Sequence, residues 1–396
     1  MKRPTHKTAQ IKETSDKSFL ILVGILLVFG VIMIHNATVV FSQGVFGGAY
    51  RLVLLQIAWI IVGLFGFGFF YRLDYKKISR VAYPLFGLSL LPLGLLALLG
   101  FLNKVGVLPC SDAVIFAPCI NGAFRWLYIN PPPLPKIPLM GILGFQPSEL
   151  VKLSLIMYLS VQLSKNIKEK GNLFPVYLVT SGLVSFLILM QPNMSTAALI
   201  FLITTAVYYS SGQTLGPLLI TLPVISIVGL FGVLLSPYRR VRLLTLINPA
   251  EGKELTLGYH IKQILIALGS GGLFGIGFGQ SRQKFQYLPE VSSDSIFAII
   301  GEEMGFLGTT IVVILFGAFI YKGLTIAKKA PDLLGKMLAV GITSWIGLQF
   351  FINIAAMTKI IPLTGIPIPL ISYGGSSMVF SLMGLGVLAN IGREKV

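Results

Sequence analysis

The chain has 396 residues, of which 55% are hydrophobic and only 11% are charged, against roughly 25% charged in soluble domains. This composition, with a mean hydropathy of +0.84, excludes a soluble globular protein, because too few polar groups are available to cover a water-facing surface. The net charge of +17 does not indicate nucleic-acid binding, since the 31 lysines and arginines are scattered between apolar segments. The sequence therefore predicts a multi-pass membrane protein.

Ten apolar segments predict ten transmembrane helices, because about 20 apolar residues cross a bilayer as a helix. They lie at residues 18–42, 52–71, 82–101, 148–164, 174–191, 196–211, 214–236, 296–321, 337–357 and 370–391. The first is too long for a signal-peptide core and no small-residue cleavage site follows it, so we expect it to be retained. Residues 1–17 form a basic tail, and residues 18–396 are predicted to form a single all-α membrane domain.

The basic residues predict the orientation of these helices, because cytoplasmic loops carry an excess of lysine and arginine. The segments with most of these residues are the N-terminal tail, 72–80, 165–170, 322–336 and the C-terminus. The short loops of the other side contain only Arg51 and Lys359. Both termini are therefore predicted to be cytoplasmic, and two long loops, residues 102–147 and 237–295, are predicted to be extracytoplasmic.

Both cysteines of the chain, Cys110 and Cys119, fall in the first long loop. In an oxidising compartment they can form a disulfide, and two free thiols are the alternative. A metal site is not expected here, because the three histidines, His6, His35 and His260, lie elsewhere in the sequence.

The second long loop is rich in basic residues, namely Arg239, Arg240, Arg242, Lys253, Lys262, Arg282 and Lys284. One interpretation is a solvated loop near anionic lipid. The other is a site for a phosphate-rich ligand, whose charge these cations would offset. The glycine-rich run at 269–279 lacks the strand–helix context of a dinucleotide fingerprint. We expect it to be a flexible or re-entrant loop whose backbone approaches a ligand.

A few charged residues stand at or within the apolar segments. Glu149 and Lys152 lie three residues apart at the start of the fourth segment, on one helix face. They form either a local ion pair or part of a site that lines a polar cavity. Asp294 precedes the eighth segment, as a helix N-cap or a functional carboxylate. Glu302 and Glu303 follow about 12 Å further along that helix, at roughly 1.5 Å per residue, and need partners there.

The succession of motifs along the chain resembles the SEDS family (shape, elongation, division and sporulation), which contains FtsW and RodA. The matching stretches are Asn121-Gly122-Ala123-Phe124-Arg125-Trp126, Phe145-Gln146-Pro147-Ser148-Glu149 with Lys152, Gln191-Pro192-Asn193, Gly258-Tyr259-His260-Ile261-Lys262-Gln263, the 269–279 run, Leu288-Pro289-Glu290 with Asp294, Gly301-Glu302-Glu303-Met304-Gly305, Gly365-Ile366-Pro367 and Ser372-Tyr373-Gly374-Gly375-Ser376-Ser377. They span nearly all ten predicted helices in order.

The resemblance implies a peptidoglycan glycosyltransferase that polymerises lipid II at the outer face of the bacterial cytoplasmic membrane. It also implies a class B penicillin-binding protein, a transpeptidase, as partner, together with other membrane proteins of the division or elongation machinery. The Gln283-Lys284 pair and the C-terminal ending 389–393 favour an FtsW-like role in septal synthesis, whereas residues 364–367 are closer to RodA, the lateral-wall paralogue.

The family's presumed catalytic acid, in the pattern Pro-Glu-x-x-Thr-Asp-Phe, maps onto Asp294. The chain departs from the family at Ser295, where an aromatic residue is usual, and at Asn193, where an aspartate usually follows Gln-Pro. Asn193 can still form a hydrogen bond with Lys152, but it cannot neutralise the lysine.

In the implied reaction a sugar hydroxyl attacks an anomeric carbon and a lipid pyrophosphate leaves. We predict that Asp294 accepts the hydroxyl proton and that Glu149 orients Lys152. The residues predicted to bind the substrate are Arg125, Glu149, Lys152, Arg239, Arg240, Lys262 and Glu290. A divalent cation, Mg²⁺ or Mn²⁺, would also offset the pyrophosphate charge, but the sequence does not identify ligands for it.

Two other functions fit parts of the pattern. A transporter that flips lipid II would also carry intramembrane acids and glycine-rich breaks, although no internal repeat relates the two halves of the chain. A non-catalytic scaffold of the division machinery would leave the acids at the helix ends unexplained.

Overall fold

The computed structural model describes residues 17–110, 114–120, 122–132, 134–135, 143–168, 172–214, 216, 240 and 256–393. In these residues it has ten helices and four short strands. Six helices are long and apolar enough to cross a membrane, and two more are shorter apolar helices. The all-α membrane fold predicted from hydropathy is thereby confirmed. The predicted segment 214–236 lies almost entirely outside the described residues.

The first three helices correspond to the first three predicted segments. They are α1 Lys17–Phe46, α2 Arg51–Arg72 and α3 Ile78–Lys104, with a 3-10 turn at Tyr75–Lys77 before α3. They form because their apolar stretches are long enough to span the bilayer.

The first long loop is stabilised by a disulfide and two short hairpins. Cys110 and Cys119 are bonded, with 5.5 Å between their Cα atoms, which confirms the bridge over the alternative of two thiols. The strands are β1 Cys119–Ile120, β2 Ala123–Phe124, β3 Leu127–Tyr128 and β4 Gly144–Phe145, paired antiparallel as β1–β2 and β3–β4. Phe124 is fully buried against Leu96 and Leu99 of α3, which fixes the hairpins on the end of the bundle.

Helix α4, Pro147–Lys168, is the central helix of the bundle. It packs against α3 and four helices that follow it in the chain. Its residues Val151, Leu153, Ile156, Met157 and Leu159 are all inaccessible to solvent. Because protein surrounds α4, it does not need a lipid-facing apolar surface and can carry Glu149 and Lys152 within its first two turns.

Helices α5 Leu173–Met190 and α6 Met194–Ser210 form a hairpin beside α4. The next described helix, α7 Thr256–Ser270, lies inside the second long loop, where we predicted no helix. Only one of its faces is apolar and buried, at Ile261, Ile264 and Ala267. A search for continuous apolar segments misses a 15-residue amphipathic helix of this kind.

Helix α8, Ile296–Lys329, is interrupted at Gly305, where φ is +64°. The glycine-rich run packs against this break, and the amides of Ile276 and Phe306 donate to the carbonyls of Glu302 and Gly272. A side chain at Gly271 would collide with the α8 backbone. The run therefore approaches the backbone of α8, and its expected approach to a ligand stays a prediction.

The last two helices are α9 Leu333–Met357 and α10 Gly375–Ile391. Helix α10 packs along α2 and against α4, and α9 packs against α4, α6 and α8. Between α9 and α10 the chain forms a largely buried loop, residues 358–374, which returns to the end of the bundle where α8 begins.

Candidate active site

Asp294 lies in the turn that leads into α8 and is 6% exposed. The N-cap residue of α8 is Ser295, and its side chain makes no capping hydrogen bond. Instead, Ser295 Oγ lies 2.7 Å from Nε2 of the buried His260 on α7. The interpretation of Asp294 as the helix N-cap is therefore wrong. The family pattern has an aromatic residue at position 295. The serine of this chain instead makes a polar contact with His260 of α7.

Glu290 is connected to Asp294 through one hydroxyl group. Ser293 Oγ lies 2.8 Å from Glu290 Oε2 and 3.3 Å from Asp294 Oδ1. A serine hydroxyl has one hydrogen, so it donates to one of the two carboxylates at a time. Glu290 itself is exposed and has a positive φ of +51°, a conformation that non-glycine residues adopt rarely.

The loop between α9 and α10 packs against the Asp294 turn. The backbone amide of Tyr373 donates to the carbonyl of Ser292 at 2.8 Å. Gly365 has φ +68°, and a side chain there would lie 3.9 Å from Asp294 Oδ2. The backbone amide of Gln146, at the end of the first long loop, donates to Ser376 Oγ at 3.1 Å. Both long predicted loops and the 358–374 loop thus meet at one end of the bundle.

Glu149 and Lys152 form a buried ion pair, with 2.7 Å between Lys152 Nζ and Glu149 Oε1. Lys152 Nζ also donates to Gln349 Oε1 of α9 at 2.8 Å and lies 5.0 Å from the ring centroid of Trp345. Glu149 Oε2 is buried and has no hydrogen-bond partner among the described residues. The pair is therefore fixed on one side by α9 and retains an unused acceptor.

Asn193 does not take part in this cluster in the contacts that the structure gives. It is the N-cap residue of α6, and its Oδ1 accepts from the backbone amide of Thr196 at 3.3 Å. The expected hydrogen bond to Lys152 is replaced by the bond from Lys152 to Gln349. An aspartate at position 193 would cap the helix in the same way.

Glu302 and Glu303 are buried anchors for the segment 279–284. Glu302 accepts from Ser281 Oγ and from the backbone amides of Arg282 and Gln283. Glu303 accepts from the backbone amides at 279 and 281, from Asn36 Nδ2 of α1 and from Lys284 Nζ. These carboxylates have the partners that the sequence required of them, and the partners are loop backbone amides and the side chains of Ser281, Asn36 and Lys284.

A cavity of about 490 Å³ opens beside Glu290, between α1 and residues 284–292. Its lining is apolar at Ala37, Phe41 and Leu288 and charged at Lys284 and Glu290. Such a two-sided lining suits an amphipathic ligand, because apolar groups and charges each find matching neighbours.

Of the predicted cationic residues other than Lys152, Arg125 is the one whose contacts are described. Arg125 donates through Nε and Nη2 to the carbonyls of Gln191 and Pro192, at 3.3 and 2.7 Å, and so ties the hairpin loop to the α5–α6 turn. Lys262 is exposed on α7, two residues after His260. Arg240 is exposed, and Arg239 lies outside the described residues. Pyrophosphate binding by these four groups stays a prediction.

Within the described ranges no three His, Cys, Asp or Glu side chains form a cluster that could hold a metal ion. Participation of Mg²⁺ or Mn²⁺ stays a prediction.

Two functional candidates were missed in the sequence, Gln349 and Asn353 on α9. Asn353 Nδ2 donates to the carbonyls of both Asp294 and Ile366, each at 2.8 Å. The predicted site residues within the apolar segments, Glu149 and Lys152, are both charged. Two amides four residues apart in the apolar segment 337–357 were a comparable signal, because polar side chains are costly in a membrane unless they serve a purpose.

The apolar helices define a polytopic membrane protein. Its candidate site contains the buried carboxylates of Asp294 and Glu149 and the buried Lys152 at one end of the bundle. The FtsW/RodA/SpoVE family model, described as "Cell cycle protein", matches residues 16–396. The chain belongs to this family, as the motifs indicated, and it is a multi-pass protein of the bacterial inner membrane.

Curated relatives extend over the same length. The chain is 35% identical over 394 residues to "Stage V sporulation protein E" of Bacillus subtilis (strain 168), covering 96% of this chain and 98% of that protein. It is 33% identical over 386 residues to "Probable peptidoglycan glycosyltransferase FtsW" of Geobacter sp. (strain M18), covering 96% and 97%.

Solved structures have the same fold. A chain from the structure "Structural coordination of polymerization and crosslinking by a peptidoglycan synthase complex" matches with a TM-score of 0.73 at 25% identity, covering 96% of this chain and 98% of that chain. The rod shape determining protein RodA of Thermus thermophilus matches with a TM-score of 0.65 at 23% identity, covering 96% and 97%.

Proposed function

We propose that this protein is a peptidoglycan glycosyltransferase that polymerises lipid II into glycan strands at the outer face of the cytoplasmic membrane. The observation that carries the proposal is the buried Asp294, which lies in a turn between Glu290 and α8 and packs against the 358–374 loop. The name of the FtsW relatives, probable peptidoglycan glycosyltransferase, supports the reaction.

In the proposed reaction, the hydroxyl oxygen of one sugar forms a bond to the anomeric carbon of the next. The bond from that carbon to the lipid pyrophosphate breaks, and the pyrophosphate leaves with the bonding electrons. Asp294 accepts the proton of the attacking hydroxyl. Glu290 shares the Ser293 hydroxyl with Asp294, which places a second carboxylate beside the proposed base. The amphipathic cavity beside Glu290 supports binding of a lipid-linked sugar in this region.

The proposal extends to the partner and the process. A class B penicillin-binding protein would crosslink the strands as they form, as the name of the matching synthase complex suggests for that assembly. One relative carries a sporulation name, another is named FtsW, and one solved structure carries a rod-shape name. The process served by this chain is therefore tested with the transpeptidase of each process separately.

The decisive experiment incubates the purified protein with labelled lipid II in detergent, with and without the transpeptidase. Detergent micelles have no two sides, so a flippase or a scaffold yields no polymer in this assay. We expect Asp294→Asn to lower polymerisation by about 100-fold or more, the size typical of a lost general base. Its thermal stability should stay near wild type, because Ser295 and not Asp294 occupies the N-cap position.

A matched control is Asp332→Asn. Asp332 is the N-cap residue of α9 and accepts from the amide of Gly335 at 2.7 Å, and asparagine caps a helix about as well. This variant should polymerise lipid II at a rate near wild type. If Asp294→Asn retained more than about half of the wild-type rate, the base would have to be sought at Glu290 or Glu149.

A further inference from the structure

Two buried amide side chains of α9, Gln349 and Asn353, lie four residues apart and therefore on one helix face. Gln349 Nε2 donates to the carbonyl of Pro367 at 3.0 Å, and Asn353 Nδ2 donates to the carbonyl of Ile366 at 2.8 Å. Helix α9 thus holds the loop before α10 by two directed hydrogen bonds to successive backbone carbonyls.

Asn353 makes a second bond that Gln349 does not make. Its Nδ2 also donates to the backbone carbonyl of Asp294 at 2.8 Å. The amide group has two hydrogens, and one amide nitrogen therefore joins the turn that contains Asp294 to the loop that packs against it. Both bonds are shielded from water, because Asn353 has no exposed surface.

The orientation of the Asn353 amide is determined by its surroundings. Its Oδ1 is buried and has no hydrogen-bond partner among the described residues. Exchanging the oxygen and nitrogen would place Oδ1 against two carbonyl oxygens, which repel it, so the network permits only the observed orientation. An unpaired buried oxygen lowers the stability of the protein. At Asn353 this loss accompanies the donation of both amide hydrogens to backbone carbonyls.

Gln349 connects the same helix face to the second charged group of the site. Its Oε1 accepts from Lys152 Nζ at 2.8 Å and from Trp345 Nε1 at 2.9 Å. Helix α9 therefore bonds to Lys152 at one turn and to the backbone of Asp294 at the next, which sets the position of one group relative to the other.

We propose that Asn353 is a positioning residue for glycosyl transfer, which holds the backbone of Asp294 at a fixed place against the 358–374 loop. The inference rests on the proposed function. Asn353 acts through Asp294 and not on the substrate, because its amide hydrogens are both donated to backbone carbonyls. Small displacements of a reacting group lower rates steeply, by up to about 100-fold for 1 Å.

Asn390 offers a matched control. It is also a buried asparagine that ties two backbone segments, since its Nδ2 donates to the carbonyl of Tyr71 at 2.6 Å and its Oδ1 accepts from the amide of Tyr75 at 3.3 Å. It lies near the C-terminal end of α10, whereas the candidate site is at the other end of that helix.

The kinetic test compares Asn353→Ala, Asn353→Ser and Asn390→Ala in the lipid II assay. We expect Asn353→Ala to lower turnover at least about tenfold while KM for lipid II changes less than about twofold, because the substrate contacts remain. Asn353→Ser keeps one donor and should recover part of the turnover. Asn390→Ala should turn over within about twofold of wild type per folded molecule. Equal losses in both alanine variants would overturn the inference.

A double variant separates positioning from a general loss of structure. If Asn353 acts through the Asp294 carboxylate, adding Asn353→Ala to Asp294→Asn should lower the residual rate no further, since residues that act as one unit are not additive. A full additional tenfold loss would show that Asn353 has a separate role and would contradict the proposal.

Hydrogen–deuterium exchange gives a readout that does not depend on activity. The backbone amide of Tyr373 donates to the carbonyl of Ser292. This bond joins the same two segments that Asn353 connects, the 358–374 loop and the Asp294 turn. Peptides covering 290–296 and 364–374 should exchange at least about tenfold faster in Asn353→Ala than in the wild-type protein. In Asn390→Ala their exchange rate should be unchanged. Unchanged exchange in Asn353→Ala would refute the positioning role. Absence of polymer from the wild-type protein would refute only the proposed function.

Discussion

Two buried glutamates of this protein, Glu303 and Glu149, are each paired with a lysine, yet their surroundings differ. Both oxygens of Glu303 are occupied. Oε2 accepts from Asn36 and from the amide of residue 279, and Oε1 accepts from the amide of residue 281 and from Lys284. Lys284 in turn donates to Asn36 Oδ1 at 2.9 Å and to the carbonyl of residue 279 at 2.6 Å.

At Glu149, only Oε1 is paired, with Lys152, and Oε2 has no hydrogen-bond partner among the described residues. An unpaired buried polar atom costs about 1–3 kcal/mol. Both oxygens of Glu303 already accept two hydrogen bonds each, so Glu303 cannot readily bind a ligand. Glu149 Oε2 can still accept a hydrogen bond. Glu303 therefore holds the 279–284 segment, whereas a role of Glu149 in the proposed active site stays a prediction.

The largest expected effect is on the saturated carboxylate. In Glu303→Gln, the side-chain NH₂ group faces two hydrogen-bond donors at whichever of the two oxygen positions it occupies. Removing one charge of a buried ion pair typically destabilises a protein by about 3–5 kcal/mol. We expect a loss of this order in thermal unfolding of the purified protein, with little folded protein recovered. A stability near wild type would contradict the role of Glu303 as an anchor.

Glu149→Gln is the matched change at the other pair. The amide oxygen still accepts from Lys152, and the NH₂ group occupies the position where no partner is present. Both variants leave a buried lysine without its counter-ion, which costs up to about 3–5 kcal/mol, but only Glu303→Gln also brings donors face to face. We therefore expect Glu149→Gln to be the less destabilised of the two, and its glycan polymerisation to fall by roughly tenfold, equivalent to about 1.4 kcal/mol in the barrier. Unfolding as severe as that of Glu303→Gln would show that both pairs are structural.

The smallest effects concern Asn193, which lies outside both pairs in the contacts described. Asn193→Asp should leave stability and polymerisation near wild type, because aspartate also accepts from the Thr196 amide at the N-terminus of α6. Asn193→Leu removes the cap and should cost about 1 kcal/mol of stability. Circular-dichroism melting and the lipid II assay check both variants. A large gain in activity from Asn193→Asp would indicate that a negative charge beside Lys152 is needed after all.

Hydropathy predicted the long helices well and the short elements poorly. The segments that became α1, α2, α3, α5 and α9 are apolar around most of their circumference, and lipid exposure requires that composition. The helix α7 and the break of α8 at Gly305 were not foreseen. An amphipathic helix of 15 residues carries only a one-sided pattern, and a helix break depends on what packs against it, here the glycine-rich run.

At the site, the sequence indicated the individual groups but not their partners. The spacing of Glu149 and Lys152 predicted their contact, because residues three apart share a helix face. The role of Asp294 as an N-cap was wrong, since a shift of one residue in the start of α8 gives that position to Ser295. The bond expected from Asn193 to Lys152 is formed by Gln349 instead.

Composition, local spacing and motif order were sufficient to predict the class of the protein, its long apolar helices, the disulfide candidates and the family, because all of these can be read along the chain. Which polar groups meet depends on how the helices pack. Lys284 and Glu303 are 19 residues apart and Asn353 and Asp294 are 59 apart, and no local pattern specifies such contacts. They are fixed by the requirement that each buried charge and amide finds a partner once the helices have packed.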